Sequence, residues 1–192
     1  MDEKKIIHLG RNGDVDAFCR IYEQYKDRLY RYAFYRLGNA QDAEDAVSEC
    51  VLSAYRQFGQ LRDEKAFPAW IFKILSAGCV KYISQQAERR KTVSLDAVRQ
   101  SANQTEADAA MASANVTGLT MQDPAEVVAL RLDLQRALEQ LASDEKEIVL
   151  LSLVAGFTSQ EIAQMTGSRP GTIRSKQSRS LVKMRAYLEG RS

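Results

Sequence analysis

Between Thr158 and Pro170 the chain carries two helix starts on either side of a glycine. Thr158-Ser159-Gln160-Glu161 has the pattern of a capping box, in which the threonine and glutamate side chains satisfy backbone amides that the first helical turn leaves without partners. The helix it opens must be short, because Thr166-Gly167 supplies a turn in which glycine takes the left-handed conformation without steric cost. Ser168 is then expected to cap the next helix, with Pro170 in its first turn, where a missing N–H does no harm. Ile162, Ala163 and Met165 give the first helix an apolar face, and Ile173, Leu181, Met184 and Leu188 give one to the second. Arg174, Ser175, Lys176, Gln177, Ser178 and Arg179 lie on or beside its outward side. Short helix, glycine turn and basic helix form the helix-turn-helix pattern of duplex-DNA readers. A plain helical hairpin with a solvated face is the alternative.

Charge separates the two. The net charge is +2, but it is unevenly distributed. From Ser168 to Ser192 there are seven Lys and Arg against Glu189, whereas Pro124 to Gly167 carries three basic against seven acidic residues. A basic block behind an acidic one is the electrostatic footprint of a DNA-contacting helix on a neutral scaffold. A helix N-terminus and small hydroxyl side chains admit close approach to phosphate, and arginine can make bidentate contact with guanine. Thr172, Arg174, Ser175, Lys176 and Arg179 are the candidate contacts.

The rest of the chain reads as helix as well. There are three Pro and ten Gly in 192 residues, and no alternating β-branched run. Phe18, Ile21, Tyr22, Tyr25, Leu29, Tyr32 and Ala33 recur at three- and four-residue spacing, which predicts an amphipathic helix that Gly38-Asn39 ends. Asn39 can cap a second helix, with Asp42 at its third position, burying Ala43, Ala46, Val47, Cys50, Ala54 and Tyr55. A polar loop over Gly59–Lys65 precedes Pro68 and a third helix through Trp70, Ile71, Ile74 and Leu75 that ends at Arg89-Arg90-Lys91. From Thr92 to Asp123 the chain is built of Ala, Ser, Thr, Asn and Gln, with no aromatic and with four acids against Arg99. Such a stretch buries too little apolar surface to offset its ordering entropy, so a mobile linker is expected, with room for a short helix near 106–114. After Pro124, Val127, Leu130, Leu134, Leu138 and Leu141 form an apolar stripe. Ser143 is expected to cap the following helix, whose buried face is Ile148, Val149, Leu151 and Leu153 and whose end is Gly156. The expected fold is all-α: two small helical domains, 1–91 and 124–192, joined by a flexible linker over 92–123.

Other classes of function find little support. Cys19, Cys50 and Cys79 lie about thirty residues apart and His8 is the single histidine, so no clustered metal ligands exist and no metal or cofactor is expected. The odd cysteine count suits a reducing compartment, with the thiols as small core residues. No apolar run of roughly 18 residues stands out as a membrane span, and no membrane insertion is expected. No Gly-rich phosphate loop or nucleophile motif suggests an enzyme.

Together these segments resemble a bacterial RNA polymerase sigma factor of the sigma-70 family, extracytoplasmic-function group. Gly156-Phe157-Thr158-Ser159-Gln160-Glu161-Ile162-Ala163 and Gly171-Thr172-Ile173-Arg174-Ser175-Lys176 are similar to the family's region four. Tyr22-Glu23-Gln24-Tyr25-Lys26-Asp27-Arg28-Leu29-Tyr30, Asp42-Ala43-Glu44-Asp45-Ala46-Val47 and Phe67-Pro68-Ala69-Trp70-Ile71-Phe72-Lys73-Ile74 are similar to region two. The resemblance implies that region four reads the −35 promoter element and meets the polymerase β flap. It implies that Asp42, Glu44, Asp45 and Glu49 dock on the β′ clamp coiled coil; on residues alone that acidic face is equally a solvated surface. It also implies that Arg62, Asp63, Phe67, Trp70 and Lys73 meet the melted −10 element, where aromatic stacking and nearby cations can hold single strand. Trp70 and Phe67 read equally well as core, and Lys81 is a further phosphate partner. The chain departs from the family at Ser48 (commonly glutamine), Ala77 (commonly asparagine), Lys81 (commonly aspartate) and Pro170 (shifted one position later). The family's members implied as partners are core RNA polymerase, promoter DNA and an anti-sigma factor. The implied location is the cytoplasm, or the membrane while such a factor holds the chain there. A conventional helix-turn-helix regulator binding operator DNA as a dimer is the other reading.

Overall fold

The computed structural model describes residues 3–92 and 124–190, and the expected linker and its short helix lie outside the described residues. The described residues form two all-helical domains with no strand among them. The first holds α1 (Glu3–Arg11), α2 (Val15–Leu37), α3 (Ala40–Gln57), two single 3-10 turns (Phe58–Gln60 and Glu64–Ala66) and α4 (Phe67–Thr92). The second holds α5 (Pro124–Glu139), α6 (Ser143–Leu153), α7 (Ser159–Thr166) and α8 (Pro170–Glu189).

Local chemistry sets the boundaries in the first domain. The Asp14 carboxylate accepts from the Ala17 amide at 3.0 Å and starts α2. Gly38, at φ 91°, ends it in the left-handed conformation, donating to the Phe34 carbonyl at 2.8 Å. Asn39 Oδ1 then accepts from the Asp42 amide at 2.7 Å, as the sequence predicts. The core is aromatic and edge-packed: the Phe58 ring meets Phe18 at 5.1 Å and Phe67 at 5.5 Å between centroids. Tyr55, expected in this core, is half out of it at 46% exposure, touching Phe18 by its edge.

Helix α1 has no counterpart in the periodicity reading. It seats Ile6 and Ile7 in the core, and the Tyr25 hydroxyl donates to Glu3 at 2.7 Å. Gly10 lets it approach, since a Cβ there would stand 2.5 Å from the Phe58 ring. Helix α4 is the domain's central element, with Phe67, Ile71, Phe72, Leu75 and Cys79 fully buried. Over Glu64–Glu88 it is also long and apolar enough to cross a membrane by length and composition, contrary to the sequence reading. Only 33% of the apolar window within it is buried in this core, and Val80 and Ile83 near its end are exposed.

Three expectations for the second domain need correction. Ala142, not Ser143, is the N-cap residue of α6: the Glu145 carboxylate accepts from its amide at 3.2 Å, while Ser143 accepts hydrogen bonds from Arg36. Arg169, not Ser168, is the N-cap of α8, and it makes no side-chain cap. The buried faces shift too. Leu150 replaces Leu153, which is 59% exposed, and Leu130 and Leu181 are 50% and 37% exposed. Cys19 is exposed, unlike Cys50 and Cys79.

The domains touch. The Arg36 guanidinium donates to the Ser143 carbonyl at 2.8 Å and to its hydroxyl at 2.9 Å. Ser76 donates to Glu147 at 2.6 Å, and the Gln135 amide donates to the Gly38 carbonyl at 2.8 Å. Phe72 and Phe157 meet edge to face at 5.3 Å.

Candidate nucleic-acid and partner interface

The helix-turn-helix forms as the sequence predicts up to its second cap. The Thr158 amide donates to Glu161 Oε2 at 2.7 Å, and the Glu161 amide donates to Thr158 Oγ1 at 3.3 Å. The Thr158 amide, foremost, and the Thr158 hydroxyl, which donates to the same oxygen at 2.7 Å, hold the Glu161 carboxyl below its ordinary value. Gly167 turns the chain at φ 68°, and the Ser168 amide closes the turn on the Ala163 carbonyl at 3.0 Å. Pro170 then stands at the start of α8, where its fixed φ suits a first turn. Ile173 and Met184 face inward, and Gln177 fixes α8 to α6 by donating to Ser152 at 2.7 Å.

This anchoring leaves Thr172, Arg174, Ser175 and Arg179 exposed on one side of α8. Arg174 makes no hydrogen bond or ion pair among the described residues. Arg179 lies along its own helix, donating to the Ser175 carbonyl at 3.3 Å. Lys176 is different, being half-buried and paired with Asp144. Lys183 likewise pairs with Glu145 at 2.8 Å. Both carboxyls are held below their ordinary values, in each case chiefly by the lysine hydrogen bond. Part of the basic block is thus neutralised by the acidic first turn of α6, and its outward charge rests on the arginines.

On α3, Glu44, Asp45 and Glu49 are exposed, but Asp42 is not a free carboxylate. It accepts from the Asn39 side chain at 2.6 Å and from Gln86, so it ties the start of α3 to α4. A hollow of about 390 Å³ opens beside Glu44, lined by Tyr22, Lys26, Asp27, Tyr30, Val47 and Ser48. Sequence periodicity did not mark this hollow; the small side chain at Ser48 was its only local sign.

The loop before α4 divides into core and surface. Arg62 and Lys73 are exposed. Asp63 is exposed too, but accepts from the Lys65 amide at 3.0 Å and caps the turn Glu64–Ala66. Phe67 is fully buried and cannot offer its ring to a base, which corrects that assignment. Trp70 is half-buried, stacked on Phe58 at 6.1 Å and tilted against Phe67 at 6.0 Å. Lys81 is exposed further along the helix. Among the described residues no cluster of His, Cys, Asp and Glu could hold a metal ion.

Comparison with known proteins gives both halves a match. The model of sigma-70 region 2 matches residues 21–89, and that of sigma-70 region 4 matches residues 131–184. The chain is 27% identical to the ECF RNA polymerase sigma factor BldN of Streptomyces coelicolor, covering 92% of this chain and 62% of that protein. It is 25% identical to the ECF RNA polymerase sigma factor SigW of Bacillus subtilis, over 96% of each. Among solved structures it is similar in fold to the sigma factor RpoE of Bartonella quintana, solved in complex with the anti-sigma factor NepR. That match has a TM-score of 0.63 at 21% identity and covers 91% of this chain and 98% of that one.

Proposed function

Because this chain belongs to the extracytoplasmic-function group of the sigma-70 family, we propose that it is a dissociable transcription-initiation subunit with no catalysis of its own. The first domain docks on core RNA polymerase and engages the −10 element, and the second reads the −35 element in the major groove. The observation that carries this reading is the exposed face of α8, with Thr172, Arg174, Ser175 and Arg179 presented behind a capped α7. Lys176 joins them when phosphate displaces Asp144. Glu44, Asp45 and Glu49 supply an acidic face for the β′ clamp coiled coil, and the β flap meets the second domain. Arg62, Lys73 and the exposed part of Trp70 supply cations and a ring edge for melted −10 strand. An anti-sigma factor of the kind that holds RpoE is the expected antagonist, and the cytoplasm the expected location. A dimeric operator-binding regulator would leave α1–α4 without a role.

Gel filtration with core polymerase tests the assignment of the two faces. The unaltered chain is expected to co-elute with core. A Glu44→Lys/Asp45→Lys/Glu49→Lys variant is expected to elute apart while still shifting a −35 duplex. Co-elution unaffected by the triple charge reversal would remove α3 from the docking surface.

A further inference from the structure

The segment 58–66 connects α3 to α4 and carries Arg62 and Asp63, which meet the melted −10 strand on the reading proposed above. The path of the backbone is what aims those two side chains. Phe58, Leu61, Glu64 and Phe67 fall three residues apart, the period of the 3-10 turns that build the segment. Three of them anchor by burial: Phe58 and Phe67 meet ring to ring at 5.5 Å between centroids, and Leu61 is 5% exposed. Glu64 anchors by charge. Its Oε1 lies 3.2 Å from His8 Nδ1 and 3.6 Å from Arg11 Nη1, both on α1. The Asn12 side chain donates to His8 Nε2 at 3.3 Å, which leaves the ring proton on Nδ1, facing the carboxylate. Asp63 accepts from the Lys65 amide, a bond within the segment. Among the described residues, no other side chain from 62 to 66 makes a hydrogen bond or ion pair outside it.

Helix α1 can hold the segment because it is itself fixed. Ile6 and Ile7 lie in the core, the Tyr25 hydroxyl donates to Glu3, and Gly10 lets the helix close on the Phe58 ring. A Cβ at Gly59 would stand 3.6 Å from the Arg11 carbonyl, so the last turn of α1 runs against the start of the segment. The Arg11 guanidinium adds little to stability there. Its Nε is buried without a hydrogen-bond partner, which carries a desolvation cost, and a partly exposed ion pair offsets little of it. A cation kept beside Glu64 on those terms directs the segment more than it stabilises the fold.

We propose that α1 sets −10 selectivity from outside the DNA-contacting surface. Arg11 and His8 hold Glu64, and Glu64 is the positioning residue that aims Arg62 and Asp63 at the melted strand. Without that hold, the stretch between Leu61 and Phe67 loses its one side-chain tie to the rest of the domain. Contacts made by a loosely held group discriminate poorly, so matched and mismatched bases are then treated more alike.

Arg11→Met/His8→Ala tests this, since methionine keeps the packed stem of Arg11 while both donors to Glu64 are removed. Run-off transcription with core polymerase is compared on one promoter and on its single-base −10 variants, with the −35 element unchanged. The unaltered chain is expected to favour one −10 sequence. The double variant is expected to lose about fivefold of that preference, the low end of what a single base position discriminates. Its thermal midpoint and its shift of a −35 duplex are expected to stay level, a split that a merely structural role would not give. Charge exchange supplies the rescue: Arg11→Glu and Glu64→Arg each lower the preference, and together they restore about half of it. An unchanged preference in Arg11→Met/His8→Ala, or a yield lowered equally on every template, would overturn the brace and leave the sigma reading standing. A preference that falls only together with the thermal midpoint would overturn it too. An unaltered chain that gives no transcript with core polymerase would overturn both.

Discussion

Lys176 and Arg174 stand two residues apart on α8 and meet different fates. Lys176 is paired with Asp144, while Arg174 has no partner among the described residues. Truncating Arg174 to alanine is expected to weaken −35 duplex binding by about 1–3 kcal/mol if it reads a base edge. Asp144→Asn is expected to act oppositely, since phosphate then no longer has to displace a carboxylate from Lys176. Electrophoretic titration over a salt series should show tighter binding for that variant, and an unchanged affinity would take Lys176 off the phosphate path. The same pairs fix a pH response. Asp144, Glu145 and Glu161 have carboxyls held below their ordinary 3.8, 4.5 and 4.5. A depressed carboxyl contributes stability that is complete above its ordinary value and is lost as pH falls through the depressed one. The thermal midpoint of the second domain should thus be level down to about pH 5 and fall below about pH 4. Asp144→Asn/Glu145→Gln should flatten that fall, and an equally steep fall would assign it to other groups. Residue roles of this kind were only partly legible in the sequence. The basic block was visible, but the acids that neutralise part of it lie 32 and 38 residues away. Phe67 and Trp70 share an aromatic signature that does not tell a buried ring from a half-buried one.

Helix starts written in adjacent residues were legible to the residue. Asn39 with Asp42, Thr158 with Glu161, and Gly167 all act where the sequence predicts, because a cap and its amide lie within three or four positions. Ser143 misled for a physical reason: its hydroxyl is taken by Arg36, and Glu145 alone caps back onto Ala142. Helix α1 was missed because its seat depends on Phe58, far along the chain, and on the missing side chain of Gly10. Both kinds of feature have measurable weight. Thr158→Ala is expected to cost about 1 kcal/mol through the lost cap. Gly10→Ala is expected to cost about 1–3 kcal/mol, since the added Cβ meets the Phe58 ring and, at 3.3 Å, the Phe18 backbone nitrogen. Chemical denaturation followed by circular dichroism checks both, and a neutral Gly10→Ala would mean that α1 can lift from the ring at no cost.

At the scale of the whole molecule, the two helical domains followed from helical periodicity and the composition of the stretch between them. Their contact did not. Arg36 and Ser143 are 107 residues apart, and nothing local in either segment points to the other. A polar interface between separately readable domains leaves little trace in apolar patterning, unlike the core of α4, whose apolar run is long enough to mimic a membrane span. The role proposed for this chain is to lend core polymerase a two-point reading of the promoter. Run-off transcription on a template selected from a promoter library measures it directly. The expected transcript requires core polymerase, this chain and both promoter elements together, and falls at least tenfold when Arg174→Ala/Arg179→Ala replaces the unaltered chain. A transcript of equal yield without the chain, or with the −35 element scrambled, would contradict it.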